Sequence, residues 1–137
     1  MALDVTTGGT SISRFYTEVM SRGRIELLEE LTTEDFVATF PDYPPIEGRR
    51  RLRDAIVSYR ERFPDLKITV LESITEGERI CCRCRVEMTH VAEYEGLAPT
   101  GRLLRFEAVD LFHMQGDKIR RRWHLKDKHS ILRQIRG

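Results

Sequence analysis

The chain has 137 residues, 40% of them hydrophobic and 33% charged, with a formal net charge of +1. That length suits one soluble domain, burying roughly two thirds of the surface its unfolded form exposes. The balanced charge supplies no field to recruit nucleic acid or an anionic membrane, and no apolar run approaches the ~18 residues of a membrane span.

The opening MALDVTTGGTS lacks a basic region followed by an apolar core, so it is not read as a secretory signal. Residues 1–10 are expected to form a flexible tail and residues 11–137 a single domain. Ile12, Phe15, Tyr16, Val19 and Met20 recur at helical spacing, which predicts an amphipathic helix over 11–22, ended at Gly23. A second short helix carries Ile25, Leu27, Leu28 and Leu31 and breaks at Thr32 and Thr33. A strand over 36–40 stops at Pro41. The stretch PDYPPIEG, 41–48, has three prolines and is expected to be an irregular loop, a lid if it borders a cavity.

Residues 49–63 form the third predicted helix, with Leu52, Ala55, Ile56, Tyr59 and Phe63 as its apolar stripe. Its arginines, including the GRRRLR run, read as a solvated face beside Asp54 and Glu61 rather than as a phosphate site. From Pro64 the period changes to two. Strands are predicted over 66–75 and 79–90, the latter with Ile80, Cys82, Cys84, Val86, Met88 and His90 on one face. Cys81, Cys82 and Cys84 have no second pair at metal-ligand spacing, so they read as ordinary thiols of a reducing, cytoplasmic compartment.

After a loop over 95–101, alternation puts Leu104, Phe106, Ala108, Asp110, Phe112 and Met114 together. Residues 115–117 turn the chain, and 118–125 return antiparallel into a terminal helix. Helices followed by a run of strands predict an α+β fold: a curved antiparallel sheet, covered on one side by three helices, forming a cone around a pocket.

Asp110 is the oddity in this pattern, because a carboxylate on an apolar face is costly unless paired. His90 shares the inward face of its strand by parity. Simple alternation puts Ile119, Arg121, Trp123 and Leu125 on one face and His124 on the other with Arg120 and Arg122. Turning His124 inward therefore needs a bulge, expected near the strand end. With the turn at Gly116 and Asp117, Asp110 falls opposite Trp123 and beside His124. An imidazole next to a carboxylate is a competent general base, its tautomer fixed by its partner. No nucleophile motif is present, which favours proton transfer over covalent catalysis.

The residues leave structural alternatives open. Asp110 can be satisfied by backbone amides or by an arginine such as Arg122, and His90 can anchor a loop. His113 shares a face with Arg105 and Glu107 and reads as solvent-facing, His129 as surface, Trp123 as packing. Candidate substrate contacts are Tyr16, Tyr43, Tyr59, Met88, Phe106, Arg122 and Trp123.

The runs THVAEYEGLAPTGR at 89–102, DLFHMQGDKIRRRWHLKD at 110–127 and ILRQIRG at the end resemble the SnoaL-like polyketide cyclases, and FPDLKITVLESITEGERICCRCRV fits the same pattern. The resemblance covers residues 12–137 and implies the α+β cone of the nuclear-transport-factor-2-like superfamily. It implies ring closure of a polyketide by intramolecular aldol condensation, without metal or cofactor. In that family an aspartate on the last strand is the acid/base, assisted by a histidine on the preceding strand. The aspartate position falls on His124 and the histidine position on Asp110, so the pair is transposed. Asp127 matches a further acidic position with no catalytic role.

The reading that follows is a cofactor-independent cyclase or isomerase of specialised metabolism acting on a hydrophobic, polyketide-like small molecule. His124 is the base, Asp110 its orienting carboxylate, and His90, with Tyr43 as alternate, the oxyanion donor. A binding module with a filled pocket is one alternative, plugged by Tyr16, Tyr59 or Met88. Epoxide opening is another and predicts Arg122 pointing inward beside Asp110. A hydroxylating relative is a third. The outer sheet face suits a homodimer.

Overall fold

The computed structural model describes residues 7–137. Helix α1 (Thr7–Arg14) runs on as a π-helical turn over Phe15–Met20, burying Ile12, Phe15, Tyr16 and Val19 as their spacing predicts. It begins before Ser11, so Thr7 to Thr10 are helical rather than tail; residues 1–6 of the expected tail lie outside the described residues. In the π turn the Ser21 N–H donates to the Tyr16 carbonyl at 2.9 Å. Such turns carry one extra residue and recur at functional sites. A 3₁₀ turn (Ile25–Leu27) leads into the short α2 (Leu28–Leu31), which ends where the Thr32 hydroxyl donates to the Leu28 carbonyl at 2.6 Å.

Strand β1 (Thr32–Thr39) starts earlier than expected, directly at the helix end. The proline-rich stretch is not wholly irregular: β2 (Ile46–Glu47) pairs with β1 once the prolines are passed. Gly48, at φ 90°, then turns the chain into α3 (Arg49–Arg62). The arginines of this helix include two internal braces: Arg49 Nε donates to Thr32 Oγ1 at 3.1 Å, and Arg60 donates to the Met20 carbonyl at 2.8 Å.

Strands β3 (Lys67–Glu76), β4 (Arg79–Thr89), β5 (Leu103–Gln115) and β6 (Lys118–Lys126) complete one six-stranded sheet, ordered β2-β1-β6-β5-β4-β3. It is curved and unclosed, the α+β architecture that the sequence predicts. One pairing corrects the antiparallel expectation: β1 and β6 run parallel. Alternation reveals which face a strand buries, but nothing local reveals that the first long strand docks beside the last. The helices cover the concave face with a core that includes Phe15, Phe36, Leu52, Phe63, Phe112 and Ile119. Helix α4 (Lys128–Arg136) follows β6, and Asp127 is its cap, accepting from the Ser130 N–H at 3.0 Å.

The β5–β6 hairpin positions the site. Met114 pairs with Ile119 and His113 with Arg121, so Arg120 is one residue more than the partner strand can match. This bulge shifts everything after it. Asp110 pairs directly with His124, not with Trp123. The bulge sits beside the turn rather than at the far strand end, where the extra residue can splay into solvent; Arg120 is exposed.

Candidate active site

Past the bulge, the inward face of β6 carries Arg122, His124 and Lys126, while Trp123 and Leu125 point outward, 40% and 47% exposed. Arg122, His124 and Lys126 border a cavity of about 600 Å³ between the sheet and α3. Leu52, Ile56, Tyr59, Leu66, Ile68 and Phe106 make its apolar wall, and Phe40 and Tyr43 cover it from the 41–48 side. Phe40 meets the His124 ring edge-on, centroids 5.9 Å apart.

Behind this wall lies a closed network centred on Asp110, which is 1% exposed. Its Oδ1 accepts from Arg122 Nε at 3.0 Å and from His124 Nδ1 at 2.7 Å. Its Oδ2 accepts from the Tyr16 hydroxyl at 2.6 Å and from Arg122 Nη2 at 3.3 Å. A carboxylate offers about four lone-pair sites, and all are taken. Asp110 therefore has no lone pair left for a further donor.

The network assigns the His124 tautomer. Arg122 Nη2 also lies 3.3 Å from His124 Nδ1, but both are nitrogens with protons to place. Asp110 only accepts, so the 2.7 Å contact requires a proton on Nδ1. The Arg122 contact is then a close approach of charge, not a hydrogen bond. Nε2 keeps its lone pair and has no protein partner among the described residues.

A family model described as SnoaL-like polyketide cyclase matches residues 10–135. The chain belongs to that family. Among solved structures, the candidate polyketide cyclase IdmH of Streptomyces antibioticus is similar at 25% identity and TM-score 0.83, over 95% of this chain and 99% of that one. A SnoaL-like cyclase candidate from Jannaschia Sp. CCS1 is 19% identical with TM-score 0.84, over 94% of this chain and 91% of its own. AclR of Streptomyces galilaeus, a candidate hydroxylase, is 19% identical with TM-score 0.78, over 92% and 82%. No curated protein matches the sequence.

In this SnoaL-like site the protonation states follow from burial and charge. Burial works against the charge on Asp110, yet the Arg122 guanidinium, then His124 and Tyr16, hold its carboxyl far below the usual carboxylate range. For His124, burial and then the Arg122 charge push the pKa below 6.5, outweighing the pull of Asp110. The ring is neutral at pH 7. Burial, then Asp110, drives the Tyr16 phenol well above its ordinary value, so it stays a donor.

The structure unites Asp110, His124, Arg122 and Tyr16, and corrects other expected placements. His90 is fully buried, but Asp110 pairs with Cys82, eight residues along β4, roughly 25 Å of strand away. His90 instead anchors the 90–102 loop, its Nδ1 2.9 Å from Thr100 Oγ1 and accepting from the Thr100 N–H at 3.2 Å. It does not line the cavity. Tyr16 lies beneath the cavity rather than on its wall. Met88 lies behind Tyr59 and accepts from its hydroxyl at 3.2 Å. Trp123 is on the outer face, flipped there by the bulge. Tyr43, Tyr59, Phe106 and Arg122 do border the cavity. His113 is on the outer sheet face and His129 is exposed, both as expected.

Lys126 and Tyr94 also border the cavity, and neither is among the candidates that the sequence offers. Lys126 had a usable signal: any bulge that turns His124 inward must turn the residue two positions later inward too. Tyr94 sits in an irregular loop, where no periodicity speaks.

Proposed function

We propose that this SnoaL-like protein is a cofactor-independent acid/base enzyme that cyclises or isomerises a hydrophobic, polyketide-like small molecule. One observation carries this reading: a neutral histidine borders a largely apolar cavity with its free Nε2, while its Nδ1–H is held by a buried carboxylate. Nε2 takes a proton from a carbon beside a carbonyl, and the electron pair of the broken C–H bond forms an enolate. The enolate carbon adds to a second carbonyl of the same molecule, closing the ring by a new C–C bond. The imidazolium returns its proton to the resulting alkoxide. Asp110 stabilises the imidazolium while it exists; Tyr43 borders the cavity, but its hydroxyl proton is donated to Glu95.

The inward Arg122 is what epoxide opening predicts. Its partner argues against that chemistry, because Asp110 has every lone pair engaged and does not reach the cavity. A pocket filled by its own side chains is also unsupported, since Tyr16 and Met88 sit outside a cavity that stays open. Across the outer face Ile74, Cys81, Leu111 and Trp123 pair in one row, with Ile74 71% exposed. That apolar row supports a homodimer. Among the described residues no helix is long and apolar enough to cross a membrane, and a cytoplasmic site is part of the proposal.

Deuterium incorporation next to the carbonyl of 2-tetralone, followed by NMR in D₂O, tests the base directly. The wild type is expected to accelerate exchange, and His124→Ala and Asp110→Asn each to lower the acceleration by ~100-fold or more while circular dichroism stays native. Undiminished exchange in both variants, or no acceleration by the wild type, would sink the assignment.

A further inference from the structure

The mouth of the cavity holds a cation that the proposed chemistry does not use. Lys126 follows His124 by two positions on the same face of β6, so the two Cα atoms are ~7 Å apart. Its Nζ stands over the rings of Tyr94 and Tyr43, 5.1 and 5.5 Å from their centroids. Such ring faces attract an ammonium but take none of its hydrogen-bond donors.

The neighbouring charges are already matched. Lys128 binds the carboxylates of Asp42 and Glu95, and Glu95 also accepts from the Tyr43 hydroxyl. Arg122 is spent on Asp110. Arg62, also at the mouth, donates to the Glu93 carbonyl at 2.5 Å. Among the described residues Lys126 alone of these four cations has neither a hydrogen-bond nor an ion-pair partner. A half-buried ammonium left in this way is costly, and burial followed by repulsion from Lys128 lowers its pKa, against the weaker pull of Asp42 and Glu95. The hydroxyl of Tyr94, whose ring Lys126 faces, is buried with no hydrogen-bond partner among the described residues. The opposite wall is apolar, so a ligand that satisfies both ends has a hydrophobic body and one anionic head.

We propose that Lys126, seated between Tyr43 and Tyr94, binds a carboxylate carried by the substrate and so selects hydrophobic acids. This names the substrate class for the site proposed above. The spacing on β6 places the carboxylate one residue pair outward of the carbon that His124 reaches, leaving the reacting carbonyl separate from the anchor.

Equilibrium binding of 2-naphthoate against 2-naphthamide, measured by calorimetry near pH 7, tests it. Both probes share one body, and neither reacts. The wild type is expected to prefer the acid by ~10-fold or more, as a charge-assisted hydrogen bond supplies. Lys126→Met should bring the ratio to within ~2-fold, and Lys126→Arg should restore the preference, which a merely structural role would not produce. His124→Ala is measured in parallel, and because the readout is binding alone, failure of the base assignment leaves this test intact. An unchanged ratio in Lys126→Met, equal binding of the pair by the wild type, or binding of neither probe would overturn the proposal.

Discussion

Arg122 works in two directions at once. It keeps Asp110 ionised in a fully buried place, and it lowers the proton affinity of the imidazole 3.3 Å away. The first effect stabilises the fold, and the second favours the neutral form of the proposed base. Removing the guanidinium leaves a buried carboxylate uncompensated, which costs ~3–5 kcal/mol. Arg122→Met is therefore expected to lower the free energy of urea unfolding by that amount; an unchanged unfolding curve would show that the pair is not coupled. Asp110 was legible in the sequence because a carboxylate among Phe106, Ala108 and Phe112 demands partners. Their identity was not, since parity alone put Arg122 and Trp123 on the wrong faces. His90 misled for the converse reason: parity placed it inward correctly, but parity carries no information on distance along a strand.

The decisive element is the β5–β6 hairpin, whose one surplus residue sets what faces the cavity. Ile119 and Arg121 pair with adjacent residues of β5, so deleting Arg120 leaves both flanking registers in place. Regular alternation from Ile119 then faces Arg122, His124 and Lys126 inward without a bulge. The Arg120 deletion is thus expected to retain 2-tetralone exchange within ~10-fold, whereas deleting Trp123, beyond the bulge, should abolish it by turning His124 outward. The reverse outcome would contradict the register. Helices and the long strands were readable from their periods, because apolar spacing is a local property. The bulge, the parallel docking of β1 on β6 and the strand inside the proline-rich stretch were not, because each depends on a partner distant in the chain.

At the scale of the molecule, the concave face holds the helices and cavity, and the convex face holds an apolar row. A small domain that exposes Ile74, Trp123 and Leu125 on one sheet face gains by covering them. Light scattering after size exclusion is expected to give a dimer for the wild type and a monomer for Trp123→Glu; a monomeric wild type would remove the dimer from the account. The two faces are linked through β6, which offers Trp123 outward and His124 inward in consecutive positions.

The chemistry proposed for the cavity turns on His124 standing neutral, protonated on Nδ1, with Nε2 free as the proposed base. A long-range ¹H–¹⁵N correlation spectrum of the histidine-labelled protein, with His124 assigned by its alanine variant, reads this directly. The structure predicts an Nδ1–H, neutral ring at pH 7. On acidification the ring should take its second proton only below 6.5, because burial and Arg122 both oppose the charge. An Nε2–H tautomer, or an imidazolium already present at pH 7, would contradict the account.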